Sequence, residues 1–142
     1  MKIVVIGSTG QFGTDLMKVL GHEHKTIGLT HKEIEVTDYD SCQIVKEHRP
    51  DVIINTAAFH KTDQCEEDPM KTFAVNAIGA KNIATVSREV EATTIFISTD
   101  YVFDGSKGEP YIEDDVPNPI NTYGISKLAG ELYTKQNPKH YI

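Results

Sequence analysis

The hydrophobic and polar positions of this chain follow two alternating periods. Apolar runs of strand length, at residues 2–6, 25–29, 51–55 and 93–98, are separated by longer segments in which apolar side chains recur every three or four positions. A parallel strand covered on both faces is apolar without alternation, whereas a helix packed on a sheet keeps one apolar face. The pattern therefore predicts an α/β fold, a parallel sheet with helices on both faces.

The segments between the runs carry helix start and stop signals. We expect helices over residues 11–20, from a cap at Asp38 to about residue 48, over 69–90 and over 121–136. A polar loop is expected at 60–68, and residues 139–142 have the pattern of a further strand. The segment 100–119 is rich in Gly, Pro, Asp and Asn and unusually long for a loop, which predicts an active-site wall.

Composition excludes several classes of function. The 142 residues fit one domain, and a net charge of -7 argues against a nucleic-acid partner, which needs a basic surface. No apolar run is long enough to cross a membrane. Two cysteines without paired spacing suit a reducing compartment, so we expect a cytoplasmic protein with no membrane partner.

Three glycines, Gly7, Gly10 and Gly13, follow the first strand and open the first helix. Glycines here allow a tight turn, bring backbone N–H groups against a pyrophosphate and let helix and strand pack closely. The sequence therefore predicts a dinucleotide site, with a simple strand-to-helix turn as the alternative, because the spacing differs from G-x-G-x-x-G. Phe12 and the lack of a following lysine exclude a Walker phosphate loop.

The residues after the second strand bear on which dinucleotide binds. An acid usually holds the ribose 2′-hydroxyl there, but this chain has Thr30, His31 and Lys32. These three side chains suit a 2′-phosphate and favour NADPH, although Lys32 serves equally well as a solubilising loop residue. NADH therefore stays open, and the adenine is expected over Glu35 and Val36.

Tyr123 and Lys127 stand four residues apart near the start of the last predicted helix, which places them on one face. We expect the ammonium to lower the pKa of the phenol. Thr99 ends the fourth strand at the edge where ligands bind, so its hydroxyl can bond a substrate carbonyl. The three residues predict proton transfer to a carbonyl reduced by a nicotinamide, although a Tyr and a Lys four apart also occur by chance.

Two other polar groups have simpler explanations. His60, Asp63 and Cys65 match no familiar metal-ligand spacing, so we expect no metal site. Asn76 and Asn82 lie on the long predicted helix, where both suit a water-facing position. A buried water held by Asn76 behind the catalytic tyrosine is the alternative.

Four segments carry a resemblance to a known family. They are GSTGQFG at 7–13, RPDVIINTAA at 49–58, STDYVFDG at 98–105 and NTYGISKLAGE at 121–131. Together they resemble the extended short-chain dehydrogenase/reductase family, and within it the dTDP-4-dehydrorhamnose reductase branch. The resemblance implies that residues 1–142 form a Rossmann-type NAD(P)-binding domain that is incomplete, because the family continues into a carboxy-terminal substrate-binding region.

The resemblance also implies an activity, the NADPH- or NADH-dependent reduction of the 4-keto group of a dTDP-4-dehydro-deoxysugar in dTDP-L-rhamnose biosynthesis. It makes Tyr123 the proton donor, Lys127 its electrostatic and ribose-holding partner and Thr99 the hydroxyl that positions the keto group, with Asp100 bordering the sugar. The implied cofactor contacts are Gly10, Gln11 and Phe12 at the pyrophosphate, Glu35 (in place of the usual aspartate) and Val36 at the adenine, and Ala57, Ala58 and His60 on the loop after the third strand.

Two other functions stay open at this point. One is a nucleotide-sugar epimerase or dehydratase that keeps NAD tightly bound and uses the same tyrosine and lysine. The other is a non-catalytic, dinucleotide-binding regulatory subunit. For the reductase the expected partner is a nucleotide-sugar substrate, a homodimer is open for the full-length form, and the 142-residue chain alone is a candidate for an inactive fragment.

Overall fold

The computed structural model describes residues 1–142 and contains one five-stranded parallel sheet of order β2-β1-β3-β4-β5. The strands are β1 (Lys2–Ile6), β2 (Lys25–Leu29), β3 (Val52–Asn55), β4 (Thr93–Phe96) and β5 (His140–Tyr141). Each strand pairs in parallel with its neighbours in the sheet. The predicted Rossmann-type α/β fold is confirmed.

Seven α-helices connect and cover the strands. They are α1 (Gln11–Leu20), α2 (Tyr39–Cys42), α3 (Ile44–His48), α4 (Thr62–Glu67), α5 (Pro69–Phe73), α6 (Gly79–Glu89) and α7 (Thr122–Thr134). A π-helical segment, Ala74–Ile78, joins α5 to α6, and a 3-10 turn, Asp100–Val102, follows β4. None of these helices is both long and apolar enough to cross a bilayer.

The core lies in two layers because successive strand residues point to opposite faces of the sheet. On one face Val4 and Ile6 pack in a cluster with residues of α3 and α6. On the other face Ile3 and Val5 pack beside Leu16 of α1 and its apolar neighbours. Both layers meet at β1, which is why Ile3, Val4, Val5 and Ile6 are all buried.

The structure differs from the sequence prediction in three elements. The expected polar loop at 60–68 contains α4, whose only buried residue is Cys65, so it lacks the apolar stripe that signals a helix. The helix expected to reach residue 48 is divided at Gln43 into α2 and α3. The helix expected over 69–90 carries the π-helical segment in its middle.

Helix α7 packs against the π-helical segment and α6 at a glycine. A Cβ at Gly130 would lie 2.5 Å from the Asn76 carbonyl oxygen and 2.8 Å from Cζ of Phe96. Real Cβ atoms do not approach backbone this closely, so only glycine allows the observed spacing between α7 and the rest of the fold. The contact sets the height of α7 above β4.

We expect Gly130→Ala to lower the free energy of unfolding by roughly 1–3 kcal/mol, because the added methyl overpacks the contact. On helix propensity alone the same change would stabilise the protein by about 1 kcal/mol, so the two explanations have opposite signs. Urea unfolding measures the difference, with Leu132→Ala on the exposed face of α7 as the control. A gain in stability for Gly130→Ala would contradict the packing described here.

Candidate active site

The residues predicted to act together lie after the carboxyl ends of four neighbouring strands. The glycine turn follows β1, Thr30 follows β2, Ala57 lies just beyond β3 and Thr99 just beyond β4. Parallel strands bring these ends to one edge of the sheet, where ligands bind in open α/β folds. The edge is completed by α7, which carries Tyr123 and Lys127.

The glycine turn is built so closely that side chains cannot enter it. Gly7 has φ +80°, and its N–H donates to the Leu29 carbonyl at 2.9 Å. A Cβ at Gly7 would lie 2.7 Å from Thr56 Oγ1, and a Cβ at Gly13 would lie 2.2 Å from the Gly7 carbonyl oxygen. No side chain caps the start of α1 at Gly10, so the first N–H groups of the helix lack the usual protein acceptor.

A cleft of about 380 Å³ lies over this turn. Its lining includes eight of the predicted cofactor residues: Gly7, Gly10, Gln11, Phe12, Gly13, Ala57, Ala58 and His60. Small residues and bare backbone form most of these walls, so the arrangement fits a group that approaches the backbone closely, as a dinucleotide pyrophosphate does. An adjoining recess of about 40 Å³ is lined by Thr30 and Val36.

Glu35 lines neither cavity. Its Oε1 accepts hydrogen bonds from the backbone N–H and the hydroxyl of Thr37, at 3.1 and 2.9 Å. The side chain thus closes its own turn, and its predicted contact with the adenine has no support from the cavity linings.

The Glu33 carboxylate folds back onto the end of β2. Both the N–H and the hydroxyl of Thr30 donate to Oε2 of Glu33, at 2.8 and 2.5 Å. Residues 30–32 contain no carboxylate, as the sequence shows, and the hydrogen bonds from Thr30 to Glu33 are the feature that was not predicted. The signal was present as Thr-x-x-Glu, the pattern of a helix capping box, in which the glutamate folds back onto the first residue.

Lys127 is buried between α7 and the sheet. It is 2% exposed, its Nζ donates to the Ile97 carbonyl at 2.5 Å and lies 4.0 Å from the centre of the Phe96 ring. Burial lowers the pKa of Lys127 to about 8, while the charge of Glu131 acts in the opposite direction. The lysine therefore keeps its proton at neutral pH and loses it as the pH rises past about 8.

Tyr123 does not behave as the sequence analysis expected. Burial raises the pKa of its phenol, and a hydrogen-bonding interaction with the Thr99 side chain offsets this in part. The expected lowering by Lys127 is wrong for this structure, because that ammonium is directed at Ile97 and contributes nothing appreciable to the phenol. The ring packs edge-on against Tyr101, with centroids 5.7 Å apart.

Thr99 caps the 3-10 turn that follows β4. Its Oγ1 accepts the Tyr101 N–H at 3.2 Å and donates to Oδ1 of Asp100 at 3.2 Å. Thr99 and Asp100 also line a cavity of about 690 Å³, whose opposite side is formed by residues of the long segment 100–119. This arrangement supports the predicted role of that segment as a wall beside the site.

The long wall segment is ordered around one carboxylate. Asp104 accepts hydrogen bonds from Ser106, Tyr111 and Asn118, which hold its pKa far below the usual range. Lys107 and Asp115 form an ion pair across the same segment. These contacts explain how a stretch almost without regular structure keeps a defined shape.

Comparison with known proteins identifies the family. The family model described as RmlD substrate binding domain matches residues 1–142. The chain belongs to this family.

Individual relatives agree with the family assignment. The chain is 40% identical over 132 residues to a Bacillus subtilis spore coat polysaccharide biosynthesis protein, SpsK, a match that covers 92% of this chain and 47% of the relative. A dTDP-4-dehydrorhamnose reductase from Clostridium acetobutylicum is similar in structure, with a TM-score of 0.97 and 41% sequence identity. The match covers 100% of this chain and 52% of that structure. The dTDP-4-dehydrorhamnose reductase from Bacillus anthracis, solved in complex with NADP, has a TM-score of 0.95 and 39% sequence identity. This match covers 98% of this chain and 50% of that structure. The chain spans about half the length of these relatives.

In this RmlD-family chain, several positioning residues were not identified from the sequence. The Asn76 amide donates to the Phe59 carbonyl at 2.9 Å and to Ser126 Oγ at 3.0 Å, and its oxygen accepts the Phe59 N–H at 2.8 Å. The predicted water-facing position is wrong, because Asn76 is buried and its amide bonds to protein groups, whereas a buried water behind Tyr123 stays a prediction. Asn82 is likewise buried and donates to the Val36 carbonyl at 2.9 Å.

Two glutamates complete this support. The Glu66 carboxylate accepts the N–H and the hydroxyl of Thr122, both at 2.7 Å, at the start of α7. Glu131, 8% exposed, accepts the Ser98 hydroxyl at 2.5 Å beside Thr99. No group of three or more His, Cys, Asp or Glu side chains is placed to hold a metal ion.

The burial of Lys127 predicts a pH-dependent stability. Its pKa is about 8 in the folded chain against 10.5 for an unperturbed lysine, so between these values the unfolded state binds more protons and stability rises with pH. Between pH 8 and pH 10.5, the free energy of unfolding of the native protein should rise by roughly 1–3 kcal/mol relative to that of Lys127→Met. Urea unfolding at several pH values gives this difference, with Lys18→Met on the exposed part of α1 as the control. A difference that stays constant with pH would contradict the buried ammonium.

Proposed function

We propose that the protein containing this chain is a dTDP-4-dehydrorhamnose reductase, an NAD(P)H-dependent oxidoreductase of dTDP-L-rhamnose biosynthesis. It would reduce the 4-keto group of a dTDP-4-dehydro-deoxysugar. The observation that carries the proposal is that Thr99, Tyr123 and Lys127 lie at the same sheet edge as the glycine cleft. The names of the Clostridium and Bacillus anthracis relatives, and the NADP held by the latter, support it.

The cofactor would be held by the backbone of the glycine turn. The uncapped start of α1 at Gly10, Gln11 and Phe12 suits the pyrophosphate, and the small side chains of Ala57 and Ala58 leave space in the cleft. NADPH or NADH bound there would supply the hydride. His60 lines the same cleft and would contact the cofactor there.

Tyr123 would donate the proton that the reduced oxygen requires. A donor must hold its proton at working pH, and the burial that raises the pKa of Tyr123 ensures this. Thr99 stands beside the phenol, and its hydroxyl would turn from Oδ1 of Asp100 to bond and orient the same carbonyl oxygen. Asp100 would border the sugar in the cavity that it lines with Thr99.

Lys127 would hold the nicotinamide ribose. One of its three N–H bonds is used by the Ile97 carbonyl, which leaves two for a ribose hydroxyl. Because its pKa is about 8, the lysine is charged at neutral pH, which strengthens a hydrogen bond to that hydroxyl. Residues 1–142 would thus supply the cofactor site and the catalytic groups, with a nucleotide-sugar as substrate.

Tyr123→Phe tests the proposal. In the full-length protein, turnover of the keto-sugar should fall by roughly 10²–10⁴-fold, the usual contribution of a positioned acid, while NADH and NADPH affinity changes little. Nicotinamide absorbance measures turnover, and fluorescence titration measures affinity. Tyr133→Phe, another phenol of α7, is the matched control and should keep normal turnover.

Three results would contradict the assignment. Unchanged turnover in Tyr123→Phe would remove the proposed proton donor. Product formed without stoichiometric loss of NAD(P)H would favour an epimerase or dehydratase. Binding of nicotinamide without turnover of any keto-sugar would favour a regulatory subunit.

A further inference from the structure

The backbone beyond β4 leaves the sheet before it reaches Thr99. The Ile97 N–H still donates to the Asn55 carbonyl, at 3.4 Å, and this is the last such bond along the strand. The N–H groups of Ser98 and Thr99 donate to no backbone carbonyl. The hydrogen bonds of the sheet therefore do not fix the hydroxyl that is proposed to orient the keto group.

Helix α7 holds this part of the chain instead. Three of its side chains are spaced four residues apart and therefore lie along one face: Tyr123, Lys127 and Glu131. Lys127 Nζ donates to the Ile97 carbonyl at 2.5 Å, and Oε1 of Glu131 accepts the Ser98 hydroxyl at 2.5 Å. The Tyr123 phenol has a hydrogen-bonding interaction with the Thr99 side chain. Three successive residues beyond the end of β4 are thus each held by one side chain of α7.

The Glu131 carboxylate is poorly compensated for a buried charge. The residue is only 8% exposed, although burying a charged side chain is unfavourable unless it is paired. Its only hydrogen-bond donor in the protein is the Ser98 hydroxyl, and it forms no ion pair. A carboxylate buried with a single neutral partner adds little stability, which points to a role in the function of that partner.

We propose that Glu131 is a positioning residue that acts through Ser98 on Thr99. By holding the Ser98 side chain, the carboxylate keeps the next hydroxyl along the chain, that of Thr99, where it and Tyr123 can bond one carbonyl oxygen. The inference rests on the proposed function, specifically on a keto group bound between Thr99 and Tyr123. A displacement of about 1 Å at such a site is enough to lower a rate by roughly 10²-fold.

Two other roles for Glu131 lead to different expectations. Direct contact with the sugar is one alternative, because Glu131 lines the cavity of about 690 Å³ together with Thr99 and Asp100. An electrostatic effect on Lys127, one helical turn away, is the other. Substitutions at Ser98 and Glu131 separate these roles from positioning.

Ser98→Ala removes the hydrogen bond and leaves the carboxylate in place. In the full-length protein, kcat for the keto-sugar should fall by roughly tenfold, while the KM for the sugar and the NADPH dissociation constant change little. In a Thr99→Val background the same change should lower kcat by less than about twofold, because a residue that acts through Thr99 then has no hydroxyl to position.

Two changes at Glu131 separate the hydrogen bond from the charge. Glu131→Gln keeps an oxygen acceptor for the Ser98 hydroxyl, so kcat should stay within about threefold of the native value. Glu131→Met is of similar length but has no such acceptor, and it should lower kcat by roughly tenfold, as Ser98→Ala does. Ser87→Ala, which removes a buried hydroxyl from α6, is the matched control and should keep the native kcat. Urea unfolding shows whether each variant keeps the native fold.

Several results would overturn the role of Glu131 while the proposed function stands. They are an unchanged kcat in Ser98→Ala, a loss that persists in full in the Thr99→Val background, equal losses in Glu131→Gln and Glu131→Met, or a raised sugar KM with native kcat. Should Glu131→Met fail to fold, Ser98→Ala with and without Thr99→Val decides the question. A native protein that reduces no keto-sugar would overturn the proposed function itself, and with it this inference.

Discussion

A buried ammonium connects α7, which carries Tyr123, to the end of β4, which Thr99 follows. Lys127 donates to the Ile97 carbonyl, two residues before Thr99, and lies over the ring of Phe96 in the same strand. Removing a lysine from water is unfavourable, which the lowered pKa of about 8 reflects. The buried lysine lowers stability at neutral pH, but its contacts fix the distance between α7 and the end of β4.

Polar contacts around this lysine hold three segments in register. Asn76 joins the loop after β3 to α7 through Phe59 and Ser126, and Ser126 in turn donates to the Tyr123 carbonyl at 2.7 Å. Glu66 holds the first turn of α7 at Thr122. Each contact satisfies a polar group that would otherwise be costly to bury or leave a helix end unpaired. The loop after β3, which lines the glycine cleft, and the start of α7 are therefore joined by direct hydrogen bonds.

Features that depend on local pattern were predictable from the sequence. The boundaries of β1, α1 and β2 match the expected ones, because apolar runs and glycines mark them directly. The glycine turn and the edge that gathers Thr99 and Tyr123 follow from the parallel topology. Helix α4 was missed because its surface is polar, and the interruption by the π-helical segment leaves no trace in the apolar spacing.

Features that depend on contacts distant in sequence could not be read in advance. The direction of the Tyr123 pKa shift is set by burial and by where Lys127 points, neither of which follows from their spacing along a helix. Glu33 is the exception, since its capping pattern was visible, although its effect on the end of β2 was not. The central claim, that one bound dinucleotide extends from the glycine turn to Tyr123, is tested most directly by a crystal structure of the full-length protein with NADH. The account predicts the pyrophosphate at Gly10–Phe12 and the nicotinamide beside Tyr123 and Lys127, and a nicotinamide bound away from these two side chains would contradict it.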